Sequence, residues 1–133
     1  MTHSTARAAY VSASVTTASP QTLLVMLCER LVLDLQRAVA SQQTREHLQT
    51  HQHLVHAQAI VSELRSSLDP DGFRGGHQLA ALYDYLLQRL VQANVSKDAA
   101  PMLECLTLST QIAQTWREAA LIVASHTMEA RSA

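Results

Sequence analysis

Apolar residues recur at gaps of three and four along four stretches of the chain, with short polar segments between them. The clearest stretch runs from Leu79 to Asp98. Leu79, Leu82, Tyr83, Leu86, Leu87, Leu90 and Val91 fall on one broad helical face, while Asp84, Gln88, Arg89 and Gln92 fall mostly on the other. Tyr83 faces the apolar stripe and Tyr85 lies about 200° around the helix, so one packs inward while the other meets something else. The spacing predicts a helix from His77 to about Asn94, which tolerates the left-handed turn that ends a helix.

The other elements follow from the same pattern. Ser19 is a helix cap and Pro20 supplies a preset φ at the first helical position, which starts a helix running to about Ala40. Between Leu23 and Val39, 12 of 17 residues are apolar, and the polar five (Glu29, Arg30, Asp34, Gln36, Arg37) share one arc. That arc spans about 160° and leaves an apolar face of about 200°, wider than a surface helix needs. Arg45 to Leu68 is a second helix, polar in its first half and apolar at Val55, Ala59, Ile60, Leu64 and Leu68. Asp69-Pro70-Asp71-Gly72 turns the chain, and Arg74-Gly75-Gly76 extends the turn into the longest internal connector. Asp98 is a good N-cap for a last helix from Ala99 to about His126, with Leu103, Leu106, Ile112, Trp116, Ala120 and Val123 on its apolar side. Short connectors force neighbouring helices to run oppositely, so the expected architecture is an all-α, antiparallel up-and-down four-helix bundle over residues 20–126. Residues 1–19 are expected to form a flexible N-terminal arm with Tyr10 as its anchor, and 127–133 a frayed tail.

Composition agrees with a helical domain. The chain has 133 residues, is 47% hydrophobic and carries only three Gly and three Pro. A domain of this size needs neither disulfide nor metal to fold. A net charge of −1, with Lys97 as the only lysine, removes the electrostatic signature of a nucleic-acid binder. No apolar run is longer than the six residues of Leu23 to Cys28, too short to span a membrane, and the N-terminus has no secretory pattern. Cys28 and Cys105 sit among apolar neighbours outside any C-x-x-C pair and read as buried residues of a cytosolic protein.

Candidate chemistry adds little. His47 and His51 stand at the i, i+4 spacing that can share a metal, but no carboxylate or Cys joins them at that spacing, so a solvated face is the plainer reading and no cofactor is expected. Gly75-Gly76 lacks the Lys and Ser/Thr of a nucleotide loop. Glu46, Glu63 and Glu118 have no His three residues on, which removes the di-iron pattern. No enzyme is expected. What remains is surplus apolar helix surface, the mark of a protein partner. A homodimeric scaffold and a His-linked metal-binding bundle are the other two readings.

Taken together, the motifs resemble a known family, the flagellin export chaperones of the FliS type. The resemblance runs from Tyr10 through Val15-Thr16-Thr17-Ala18-Ser19-Pro20, Leu24, Leu27 and Glu29 to Ala57-Gln58-Ala59-Ile60, Glu63-Leu64 and Ser67-Leu68-Asp69. It continues through Gly75-Gly76, Leu82-Tyr83-Asp84-Tyr85, Arg89-Leu90, Ala93-Asn94 and Asp98 to Trp116. It departs at Cys28-Glu29-Arg30, where the family usually has an aromatic followed by Asp-Gly, and at His56, where Lys is usual. The resemblance implies a cytosolic helical bundle that binds the C-terminal segment of flagellin, prevents premature polymerisation and delivers it to the gate of the flagellar type III secretion apparatus. It points to Tyr10, Leu24, Leu27, Leu31, Tyr85, Leu86, Leu90, Ala93 and Trp116 as groove or groove-support residues. Ser19, Pro20, Tyr83, Asn94 and Asp98 would shape the scaffold, and the client-free state could be a homodimer.

Overall fold

Ser19 opens the first helix as its residue type suggests. Its Oγ accepts from the Thr22 N–H at 3.1 Å, and Pro20 follows as the first helical residue. A computed structural model describes residues 19–132; the expected arm, with Tyr10, lies outside the described residues apart from Ser19. Four helices follow: α1 (Pro20–Gln43), α2 (His47–Ser67), α3 (Gly76–Ser96) and α4 (Ala99–Ser132). Among the described residues there is no strand, and no helix is long and apolar enough to cross a membrane. The helices pack in a closed cycle, α1 on α2, α2 on α3, α3 on α4 and α4 on α1, as an up-and-down four-helix bundle does.

The core sits on the bundle axis. Leu31 and Leu35 of α1, Leu54 and Leu64 of α2, Tyr83, Leu86 and Leu90 of α3, and Met102 of α4 are all closed to water. Polar joints fix the register of α1 against α2. The Ser41 and Thr50 hydroxyls lie 2.7 Å apart at the turn, where the Glu46 N–H donates to Ser41 O at 2.9 Å. Deeper in the same seam, Asp34 is fully buried; Arg30 Nε lies 3.2 Å from its Oδ1, and His56 Nδ1 donates to its Oδ2.

Several helix ends differ from expectation. α2 starts at His47 and not at Arg45, which takes the left-handed conformation (φ 56°) instead. α3 does not stop at Asn94: it runs to Ser96, and Lys97 takes the left-handed conformation (φ 57°), its N–H donating to Ala93 O at 2.8 Å. Asn94 stays helical and meets His51 across the α2–α3 seam, its Nδ2 3.0 Å from His51 Nδ1. α1 runs on to Gln43 because Ser41 bonds back to Ala38 O and points at Thr50 instead of starting a loop. α4 continues past His126 to Ser132, since Met128, Glu129, Ala130 and Arg131 all favour a helix and no Gly or Pro interrupts them. Asp98 directly precedes α4, with its N–H donating to Ser96 Oγ at 3.2 Å.

The loop between α2 and α3 depends on two glycines. Gly75 has φ +86°, which other residues adopt at a cost. Gly76 is buried so tightly that a Cβ there would lie 2.1 Å from Pro70 O, a backbone atom. Gly76→Ala should therefore cost at least about 2 kcal/mol, read as a lower urea midpoint at unchanged slope; a midpoint equal to wild type would contradict this packing.

Burial also sets an alkaline limit. Burial pushes the Cys28 thiol from 9.0 up to about 12 and the Cys105 thiol from 9.0 up to about 11. It pushes the Tyr83 phenol from 10.0 up to about 12, against the lowering effect of the Trp116 hydrogen bond. The folded chain holds these protons where the unfolded chain releases them, so their contribution is complete below the unfolded values and lost as pH rises through the folded ones. Urea midpoints should show no loss from these groups below pH 9.0 and fall between there and about 12. A midpoint unchanged over that window would contradict the burial.

Candidate functional site

The seam between α3 and α4 is the thinnest of the four, and its two halves are built differently. Toward the end of α3 it is clasped. Tyr85 OH donates to Glu104 Oε1, and Arg89 Nη2 donates to Glu104 Oε2 at 3.0 Å. The Tyr85 bond holds the Glu104 carboxyl below its ordinary value and raises the phenol above its own. Tyr85 is thus the outward tyrosine of the pair, while Tyr83 is in the core.

Toward the start of α3 the seam opens into a groove of about 670 Å³. Leu79 and Leu82 of α3, Ile112, Trp116 and Ala119 of α4, and Phe73 of the preceding loop supply its apolar lining. Gln78, Gln111 and Thr115 supply the polar part, and among the described residues no ionisable side chain lines it. The described residues that face each other here are uncharged, so no ion pair among them bridges the two helices. The groove can take apolar side chains of a partner and hydrogen-bond uncharged polar neighbours, but it offers no counter-ion.

A smaller cavity of about 210 Å³ lies beside it, under Leu24, Leu64, Leu68 and Tyr83, with Ser67 and Asp69 at its edge. Phe73 and Trp116 line both cavities. Their rings meet edge to face, centroids 6.1 Å apart at 69°, and Trp116 Nε1 donates to Tyr83 OH at 3.3 Å.

The residues singled out from sequence distribute unevenly. Trp116 lines both cavities and Leu24 the smaller one. Leu27 is partly buried against the core, and Tyr85 is 42% exposed in the clasp. Leu31, Leu86, Leu90 and Ala93 are fully buried and form the floor of the bundle rather than an open surface. Tyr10 lies outside the described residues. Sequence reasoning missed Phe73, Leu79, Leu82, Ile112 and Ala119 as lining residues. Leu79 and Leu82 were in the leading stripe, and Phe73 stood out as the one large apolar residue of a glycine-rich loop. A further apolar surface is exposed at the end of α4, on Leu121, Ile122, Val123 and Met128.

His47 is exposed, and His51 is engaged by Asn94. Among the described residues no three His, Cys, Asp or Glu side chains converge as a metal site would require.

Comparison with known proteins gives a consistent picture. The family model described as Flagellar protein FliS matches residues 2–123. The chain is 30% identical over 111 residues to the flagellar secretion chaperone FliS of Bacillus subtilis, covering 84% of this chain and 83% of that protein. It is 34% identical over 113 residues to the flagellar secretion chaperone FliS of Escherichia coli, covering 84% and 83%. It is also 31% identical over 110 residues to the flagellar secretion chaperone FliSB of Pseudomonas aeruginosa, covering 80% and 85%.

Proposed function

The chain belongs to the FliS family of flagellar secretion chaperones, which are not enzymes, and on that premise we propose that its client is flagellin, held by the C-terminal segment. In this reading the cytosolic chaperone covers that segment, prevents premature polymerisation and delivers the client to the flagellar export gate. The observation that carries the reading is the uncharged, apolar-lined groove left between α3 and α4. A segment destined to pack against copies of itself has an apolar stripe to hide, and a helix laid in a groove hides it. A client that orders only on binding is held over a large surface at modest affinity, which suits hand-over. Residues 1–19 act as an arm that competes for the client surface.

A second reading, a homodimer in the absence of client, is favoured by the exposed Leu121, Ile122, Val123 and Met128 on α4. Light scattering with and without a flagellin C-terminal peptide distinguishes the two.

The purified chain and a flagellin C-terminal peptide should co-elute one to one. Gln78 and Thr115 are exposed lining residues, so Gln78→Glu with Thr115→Glu should leave the fold intact and place two carboxylates on the groove. Affinity for the peptide should then fall at least about tenfold by calorimetry. Unchanged affinity would place the client elsewhere. Deleting Met1 to Ser14 should change peptide affinity by more than about twofold; a smaller change counts against the arm.

A further inference from the structure

Two cavities that share a wall invite the question of whether the wall is fixed. The groove of about 670 Å³ and the chamber of about 210 Å³ both have Phe73 and Trp116 in their lining. Trp116 is anchored: it is partly buried against the core, and its Nε1 donates to Tyr83 OH at 3.3 Å. Phe73 is held differently. It is 43% exposed, it belongs to a loop and not a helix, and among the described residues its aromatic contact is the edge-to-face one with Trp116.

The loop backbone is pinned around it. The Gly72 N–H donates to Asp69 O at 3.0 Å, the Asp71 N–H to Asp69 Oδ1 at 3.1 Å, and the Gly76 N–H to Phe73 O at 3.2 Å. Gly76 is also wedged against Pro70 O. Opening the loop would break this set of bonds, whereas turning the Phe73 side chain breaks none of them. A half-exposed side chain turns on a ps–ns timescale, much faster than a loop opens.

The partly open chamber beside Phe73 has room for a single side chain, with apolar residues supplying most of its lining. Leu24, Leu64, Leu68 and Tyr83 line it, together with the polar Ser67 and Asp69. The Tyr83 hydroxyl accepts from the Trp116 Nε1–H at 3.3 Å, which fixes the indole against this cavity.

We propose that Phe73 is a displaceable partition that stands in for an apolar side chain of the client. When the bound segment presents a large aliphatic or aromatic residue to Trp116, Phe73 swings out. The groove and chamber then join into one track passing Trp116, and that residue seats under Leu24 and Leu64. Phe73 thereby sets specificity. A segment with a bulky apolar anchor at that point replaces the contact it displaces, and a segment without one leaves the partition closed. The identity of the occupant rests on the flagellin reading; the movable partition does not.

The test compares wild type with Phe73→Ala, an exposed loop substitution outside the helices. Trp116 is the only tryptophan, so its emission reports on the partition directly. The flagellin C-terminal peptide should bind Phe73→Ala about three- to tenfold more tightly, because the variant has no edge-to-face pair to break first. The peptide should also shift Trp116 emission in wild type toward that of free Phe73→Ala. Equal or weaker binding to the variant would make Phe73 a fixed wall and overturn the proposal. If the peptide binds neither protein, the flagellin reading fails and the partition is judged with the neutral dye Nile red. Tighter dye binding to Phe73→Ala upholds the partition, and equal or weaker dye binding overturns it.

Discussion

The molecule depends on the unequal closure of its four helix seams. A bundle of four antiparallel helices has four lateral interfaces, and each must be filled by side chains of matching size. Here α1 is packed heavily on both sides, against α2 and α4, and it carries Leu31, Leu35 and Ala38 fully buried. The α3–α4 seam has fewer packed residues. It is held at one end by the Tyr85–Glu104–Arg89 clasp and left apolar and open at the other. Three closed seams supply the stability that lets the fourth stay open without the chain collapsing into it.

This arrangement explains the wide apolar face of α1. An apolar arc of about 200° suggests a helix deep in its own bundle or one that touches something besides it. The structure gives the first answer, because Leu24, Leu27, Val32 and Val39 pack against the core from its flanks. The surplus surface lies instead around Leu79, Leu82 and Trp116 and along the end of α4. The sequence departures from the usual family pattern also find a place. Arg30 and His56, two of the unusual residues, both reach the buried Asp34 carboxylate, one from α1 and one from α2. A carboxylate buried alone would be costly, so these positions hold together as a set.

Much of the fold was legible because local chemistry decides it. Ser19-Pro20 starts a helix whatever its neighbours do, and the 200° between Tyr83 and Tyr85 separates core from surface by geometry alone. Asn94 misled because a residue that tolerates a left-handed turn need not make one. A tertiary contact with His51 kept it helical, and Lys97 took the turn. The candidate site was legible only in part. Periodicity places Leu31, Leu86 and Leu90 on the same kind of face as Leu79 and Leu82, yet the first three are sealed and the last two line the groove. The difference lies in tertiary position: the first three are sealed in the core and the last two face the open α3–α4 seam, which no single stripe records.

The end of α4 follows from the same reasoning. At 34 residues it is about 51 Å long, against about 36 Å for the 24 residues of α1, so its last turns have less of the bundle to pack on. Glu29 of α1 pairs with Arg117 of α4 at 3.1 Å, which sets the two antiparallel helices level at that point. Counting outward from that pair, α1 has nine residues left and α4 has fifteen, so α4 runs on beyond the start of α1. The open groove reaches α4 as far as Ala119, and the exposed Leu121, Ile122 and Val123 come immediately after it on the same helix. An apolar stripe that leaves a groove and continues onto a helix end exposed among the described residues costs free energy in the isolated chain. Its retention is physically intelligible when the chain spends its working life with that surface covered.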